Sequence, residues 1–419
     1  MKMKSHLVPI LIAIVGSSWI PPVSAGDSEN SAEEDRERTA VAGETCRTVS
    51  KVPIDLVEIE RRRVIPAADR YLRERPVVIT EFQCARSEGG ANDYYSEGDY
   101  WWPNPDTPDG LPYVRRDGET NPELFYEHRE ALVRLSIHVP TLVVAHKLAG
   151  KREYAEHAVA YLRAFFLDEA TRMNPHLLYG QAIPGRVSGR GIGIIDTLHL
   201  VEVAMAIGTL ERSEAIPPRD LAGLKDWFRT YLTWMTTHQY GIAERDHGNN
   251  HSTAWLLQVA AFAEFVGDDE LIAECRWRFK EVLLPNLMKG DGSFPRELSR
   301  TKPYGYSIFH LDLFAGLAQF LSTPEDDLWT YRSPTGRTMR KGLAFLYPYL
   351  ADKSSWPYRH DVMYWDDWPV RQAALLFGGL AFDQPEYLEL WKSLDGDPVV
   401  FEVIRNMPIR QPLLWVDLP

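Results

Sequence analysis

From about residue 127 onward, apolar positions recur three and four apart, the spacing of helices with a buried face. "ALVRLSIHVPTLVVAHKLAG" is apolar at helical spacing and stops at Gly150, which suits a helix C-cap. "KREYAEHAVAYLRAFFLDE" follows, with Tyr154, Ala158, Tyr161, Leu162 and Phe165 on one face. The same grammar returns in "STAWLLQVAAFAEFVG", which stops at Gly267, and in "DDELIAECRWRFKEVLLPN" after it. "IGIIDTLHLVEVAMAIGTL" and "LAGLKDWFRTYLTWMTTH" make a pair between these two. "SIFHLDLFAGLAQFLS", "GRTMRKGLAFLYPYL" and "PVRQAALLFGGLAF" come after them. Alternating strands are scarce. Degenerate helix pairs of roughly 50 residues predict an all-α fold, an (α/α) toroid or incomplete barrel of helical hairpins. An open α-solenoid is the rival. The loops favour the toroid, because they are long and rich in Gly, Pro, aromatics and arginine, as functional loops are.

Four of those loops carry candidate chemistry. "YWWPNPDTPDGLPYVRRDGETNPE", residues 100 to 123, has too many prolines and glycines for a helix. It is either packing for the ring or a cleft wall, with Trp101 or Trp102 as a stacking platform and Arg115 or Arg116 facing acid groups. "YGQAIPGRVSGRGIGIID", residues 179 to 196, sets Gln181, Arg186 and Arg190 in a Gly-rich loop where backbone can approach a ligand closely. It lacks the GKS/T ending of a phosphate loop. Its arginines suit carboxylates, which a guanidinium grips with two parallel bonds.

"HGNNHSTAW", residues 247 to 255, precedes a helix of Ala, Trp and Leu. Ser252 or Asn250 as cap of a helix beginning near Thr253 accounts for one polar residue, not for Asn249, Asn250, His247 and His251 together. The two histidines lie four apart, as in helical metal sites, but Gly248 and Asn249 interrupt a helix there and no third ligand follows. "FPRELSRTKPYGYSIFHLD", residues 294 to 312, places Arg296, Arg300 and Lys302 just before Tyr304 and Tyr306. Tyrosine beside cations is expected to ionise more easily.

Amide, imidazole, arginine and tyrosine together suit β-elimination on a uronic acid. The C5 proton is very weakly acidic while the adjacent carboxylate carries full charge. Asn250 and His251 bonded to that carboxylate, with Arg300 adding charge, stabilise the developing enolate. Tyr306 then removes the C5 proton and returns a proton to the O4 leaving group. The reaction so drawn calls for no cofactor.

At these residues the chain resembles the alginate lyase superfamily of polysaccharide lyases. The resemblance lies in "WWPNPDTPDGLPYVRRDGETNPE", "NNHS" and "RELSRTKPYGYS", and covers roughly residues 75 to 385. It implies an (α/α) toroid and cleavage of β-1,4-linked uronans such as polymannuronate or glucuronan. The family's Asn-His pair matches Asn250 and His251, its carboxylate-facing arginine Arg300, and its catalytic tyrosine Tyr306, with Tyr304 as the alternative. Gln181, Arg186, Arg190, Asn249, Lys302, Tyr304, Trp101, Trp102 and Arg116 are the expected substrate contacts. The Pro-Tyr-Gly between arginine and tyrosine looks closer to the branch that includes glucuronan lyases. When H5 and O4 lie on the same side of the ring, one tyrosine can do both jobs. When they lie on opposite sides, His251 is the natural base.

Composition adds a location and narrows the partner. "MKMKSHLVPILIAIVGSSWIPPVSAG" has a charged start, a short apolar run and a small-residue site, so a secretory signal peptide ending near Ala25 is expected, with a periplasmic or secreted product. The apolar run is too short to span a bilayer comfortably. A polar linker over 26–50 precedes a single domain over 51–419. Removing Lys2 and Lys4 takes the formal charge from −13 to −15, which argues against nucleic acid. An anionic uronic-acid polysaccharide remains the expected partner, since a local cationic cleft overrides net charge. Cys46, Cys84 and Cys275 allow one disulfide, expected between Cys46 and Cys84. Two other function classes stay open. A glycoside hydrolase needs two carboxylic acids across a cleft, for which Glu97, Asp99 and the pair Asp366 and Asp367 are available. A non-catalytic sugar-binding or adaptor protein needs none.

Overall fold

Which helices line the ring follows from how their apolar residues are distributed. The computed structural model describes residues 54–416. Through them run α1 (Leu56–Tyr71), α2 (Glu127–Ala149), α3 (Arg152–Leu162), α4 (Leu200–Arg212), α5 (Pro218–Thr237) and α6 (Gln239–Arg245). They continue with α7 (Asn250–Val266), α8 (Asp269–Arg278), α9 (Pro303–Leu321), α10 (Met339–Ala351), α11 (Ala373–Phe382) and α12 (Pro385–Ser393). In α9 every residue but Phe320 is buried, and in α11 every residue but Ala381. Helices apolar all round must stand inside. α2, α4, α7, α9 and α11 pack side by side in that order as the inner layer. Helices with one apolar face back them: α1 and α3 on α2, α5 and α8 on α7, α10 on α9 and α11, α12 on α11. This is the toroid of hairpins.

Gly150 and Gly267 end α2 and α7 with φ of +66° and +78°, the left-handed conformation expected of them. Two elements differ from expectation. α1 lies ahead of residue 127, and its many charges and internal Pro66 hide its apolar face. The helix expected over 192–210 becomes α-helical only at Leu200, after a 3-10 turn over Gly191–Thr197. The signal segment, the polar linker and Cys46 lie outside the described residues, so the Cys46–Cys84 pairing does too.

Residues 410–415 tie the inner layer together. Glu202 of α4 accepts the N–H groups of Arg410 and Gln411 and the indole N–H of Trp415, at 2.9, 2.8 and 2.8 Å. The Trp415 carbonyl accepts from Gln319 of α9 at 3.0 Å, and its ring lies 5.8 Å from that of Phe377 in α11. Short helices and four short strands lie between and after these helices. β1 (Tyr95–Glu97) pairs in parallel with β4 (Tyr179–Ala182), and β2 (Trp101–Trp102) pairs antiparallel with β3 (Val114–Arg115). They edge a cleft of about 280 Å³ at the start of α7 and α9.

Candidate active site

The start of α7 carries the polar run. Asn249 caps the helix, its side chain accepting the His251 N–H at 3.0 Å, so the helix begins at Asn250 and not near Thr253. The same oxygen accepts from His247 Nδ1 at 2.9 Å. Capping therefore fixes Asn249 and frees the next two side chains for other work. Asn250 gives its backbone N–H and its Nδ2–H to Glu297, at 2.9 and 2.7 Å. Glu297 is fully buried, with His310 Nδ1 at 3.2 Å. Burial pushes its carboxyl up, but His310 and Asn250 outweigh that and hold it below the ordinary range. His251 Nδ1 lies 2.7 Å from the buried Glu244 of α6, which fixes the ring and turns Nε2 away from Glu244.

Across the cleft, α9 starts at Pro303 and carries Tyr306 in its first turn. The Tyr306 hydroxyl bonds the hydroxyl of Tyr100 and lies 3.4 Å from Arg300 Nη2. The Arg300 guanidinium lies 4.4 Å from the Tyr306 ring centre. Asp117 accepts from Arg300 Nη2 and Nε at 3.0 and 3.3 Å and from Thr301 at 2.9 Å. Burial raises the Asp117 carboxyl, yet Arg300 outweighs it and holds the group at about 2. Easier ionisation of the tyrosine, expected from its cationic neighbours, is not what the resting site gives. Burial and the neighbouring Tyr100 push the Tyr306 phenol well above its ordinary value, and Lys302 and Arg300 offset only part of that.

The third wall comes from the two ribbons. Neighbouring strand residues face opposite ways. Trp101 pairs with Arg115 and both line the cleft, whereas Trp102 pairs with Val114 and carries Arg116 over its ring at 4.6 Å. Gln181 also lines the cleft, in the left-handed region with φ of +48°, a conformation non-glycine residues rarely hold. Its Oε1 accepts from Arg190 at 3.2 Å and its Nε2 donates to Asp196 at 3.2 Å. Burial lowers the Arg190 guanidinium to about 10, and Arg190 makes no carboxylate ion pair among the described residues. The glycines of this loop let backbone pass backbone, not ligand: a side chain at Gly193 would meet Gly180 at 2.5 Å.

The cleft thus gathers Asn249, Asn250, His251, Arg300, Tyr306, Gln181, Arg190 and Trp101. Five expected contacts fall elsewhere. Tyr304 is 0% exposed and its hydroxyl donates to the Tyr349 carbonyl. Residues two apart on a helix point to nearly opposite sides, so only one of the two tyrosines can face the cleft. Lys302 is buried in an ion pair with Glu402, its ammonium 5.0 Å from the Tyr100 ring centre and 5.4 Å from that of Tyr306. It works behind the tyrosines and not on a ligand. Trp102 and Arg116 stack on each other on the far face of the ribbon. Arg186 lies 5.3 Å from the Trp101 ring and lines the neighbouring groove.

Tyr100, Asp117, Glu244, Arg405 and Asn406 also belong to the site, outside the expectations from sequence, and Glu297 stands behind Asn250. Of the carboxylates considered for hydrolysis, only Asp99 lines the cleft. It is held by Arg129 and Arg405, each at 2.6 Å, and although burial opposes them they keep it at about 2. Glu97 is taken by Arg86, and Asp366 and Asp367 are exposed away from the cleft. Among the described residues neither a protonated acid nor a carboxylate pair lines the cleft. Among the described residues no three His, Cys, Asp or Glu side chains converge as metal ligands.

Comparison with known proteins places the fold. The sequence model of the alginate lyase family matches residues 80–356. An alginate lyase from Bacteroides ovatus superposes with a TM-score of 0.75 at 32% identity, over 87% of this chain and 95% of its own. Alginate lyase A1-III from Sphingomonas species A1 shares the fold, with a TM-score of 0.50 at 14% identity over 88% of this chain and 100% of its own. No curated protein matches the sequence.

Proposed function

The chain belongs to the alginate lyase family and is a polysaccharide lyase, and from that premise we propose that the cleft cleaves a β-1,4-linked uronan with Tyr306 as acid and base. The substrate carboxylate lies against Asn250, His251 and Arg300. Asn250 has one Nδ2–H committed to Glu297 and the other left for the carboxylate. His251, with Nδ1 held by Glu244, turns Nε2 to the carboxylate. Arg300 adds fixed charge. Together they spread the charge that builds as the C5 proton leaves. Tyr306 takes that proton, the C4–O4 bond breaks, and the tyrosine protonates O4.

One observation supports this reading above the others: Asn250, His251, Arg300 and Tyr306 line one cleft whose single carboxylate among the described residues is locked between two arginines. Polymannuronate and glucuronan share the C4 and C5 arrangement, with H5 and O4 on one side, that a single tyrosine can serve. The Bacteroides ovatus relative is an alginate lyase, which makes polymannuronate the first polymer to try. The test is ultraviolet absorbance over time on polymannuronate, polyguluronate and glucuronan. A rise on one of them, lost in Tyr306→Phe, is the expected result. New reducing ends without absorbance sink the proposal in favour of hydrolysis.

A further inference from the structure

We propose that the loop over residues 359–362, between α10 and α11, fixes Tyr306 relative to Arg300, and that Asp361 is its positioning residue. The proposal rests on the reading of Tyr306 given above. Both oxygens of Asp361 are spent on the first turn of α9: they accept the N–H groups of Tyr304 and Gly305 at 2.8 and 2.9 Å. A helix start leaves such N–H groups without partners inside the helix. Pro303 has none to offer, and Tyr306 donates its own to the Lys302 carbonyl at 3.1 Å. Lys302, the residue before the helix, has no acceptor in its side chain. The cap that α9 lacks locally is therefore supplied from 57 and 56 positions further along the chain.

The same loop grips the stretch that carries Arg300. Arg359 donates to the carbonyls of Ser299, at 3.0 Å, and of Arg300, and the Val362 N–H donates to the Thr301 carbonyl at 3.1 Å. Arg300 lies within the gripped stretch and Tyr306 follows it directly, so one short loop holds the backbone under both. The Pro-Tyr-Gly between them then has a use for each member. Pro303 starts the helix where no N–H is needed. Tyr304 packs against Trp356 and Trp365, ring centres 5.0 and 5.1 Å away, and so anchors the helix start to the segment that bears the loop. Gly305 lets Asp361 come close: a side chain there would meet Asp361 Oδ2 and Trp368 Nε1, each at 3.0 Å.

The loop lies past residue 356, where the match to the family's sequence model ends. None of residues 359–362 lines the cleft. Their effect on the reaction therefore passes through Arg300 and Tyr306. The acid–base oxygen must stand about 3 Å from the proton it takes while Arg300 bears on the carboxylate, and a misplacement of about 1 Å costs on the order of a hundredfold in rate.

The experiment measures kcat and KM for unsaturated-product formation by the full chain and by Asp361→Asn, Asp361→Ala and Gly305→Ala, with Asp268→Ala as control. Asp268 caps α8 by accepting the Leu271 N–H at 3.0 Å and does not line the cleft. Rates are taken per folded molecule, from the amplitude of the thermal melt. Asp361→Ala and Gly305→Ala should lower kcat about tenfold to a hundredfold, with KM changed less than about threefold. Asparagine keeps one acceptor, so Asp361→Asn should lose less, about threefold to tenfold. Asp268→Ala should lower the Tm and leave kcat at the wild-type value. Where the alanine variant does not fold, the asparagine variant, of the same shape, decides. An asparagine variant at the wild-type kcat, a fall in kcat that Asp268→Ala shares, or a change in KM alone overturns the proposal for Asp361. A wild-type chain that makes no unsaturated product, or a Tyr306→Phe variant that keeps its rate, overturns the underlying reading and this proposal with it.

Discussion

Glu297 accepts two hydrogen bonds from one residue, the backbone N–H and the side-chain Nδ2–H of Asn250, at 2.9 and 2.7 Å. The first fixes where α7 begins and the second fixes which way the amide faces. Glu297→Gln sets an N–H group against a donor and should turn the Asn250 amide around. We expect kcat to fall about tenfold to a hundredfold, since a transition-state donor is lost. Stability should drop by about 1–3 kcal/mol, because a buried polar group is left without a partner. Steady-state rates and a thermal melt of the same preparation check both. Unchanged kcat would mean that the amide is not oriented by this carboxylate.

Glu244 does for His251 what Glu297 does for Asn250. With Nδ1 committed to Glu244, His251 offers Nε2 to the substrate. Glu244→Gln weakens that commitment. The loss should depend on the polymer. On polyguluronate, where H5 and O4 lie on opposite sides and His251 would be the base, we expect about 10²- to 10⁴-fold. On polymannuronate, where His251 only neutralises, the expected loss is about tenfold. Equal losses on both polymers would argue against any separate role as base.

Arg300 is gripped by Asp117 through two nitrogens. Arg300→Lys keeps the charge but loses the fork, and should lower kcat about a hundredfold. Asp117→Asn keeps the arginine but loosens it. Its expected loss is nearer tenfold, carried mainly by KM and deepened by added salt. A lysine variant at the wild-type rate would show that charge alone suffices.

Asp312 of α9 reaches the start of α11, where its carboxylate oxygen accepts the Ala374 N–H at 2.9 Å. Burial pushes its carboxyl from 3.8 up to about 7. A carboxyl with a raised pKa binds its proton more tightly in the folded chain. Its contribution to stability is present below its ordinary value and is lost as the pH rises through about 7. Asp312→Asn cannot ionise and can still accept that hydrogen bond. Its Tm should exceed the wild-type value by a few degrees at about pH 8 and match it only below about pH 4. A Tm lowered equally at both would mean that the proton is not the cost.

The parts of this protein legible in its sequence are those with a local signature. Gly150 and Gly267 announce the ends of α2 and α7 because a left-handed cap is a property of one residue. Asn250, His251, Arg300 and Tyr306 stand in two short stretches whose chemistry is unusual for helix starts. The residues that went unread serve others across the fold. Glu244 is seven residues from His251 and Glu297 is 47 from Asn250, while Asp117 is 183 from Arg300. No spacing rule links them. Trp101 and Trp102 show a related limit: their identity suggests a platform, but only the register of the ribbon decides which one turns toward the cleft.

The way residues 401–415 join the ring has a consequence for how the protein is made. Arg405 and Asn406 line the cleft, and Trp415 ties α4, α9 and α11 together. The ribosome delivers the chain from its N-terminus, so the hairpins can form one after another during synthesis. The cleft cannot be completed until this late segment has emerged and inserted. Activity should therefore appear only once residues 401–415 have emerged, and not grow with chain length before that. A chain stalled before residue 401 would already hold Asn250, His251, Arg300 and Tyr306, yet lack the parts that close the cleft around them.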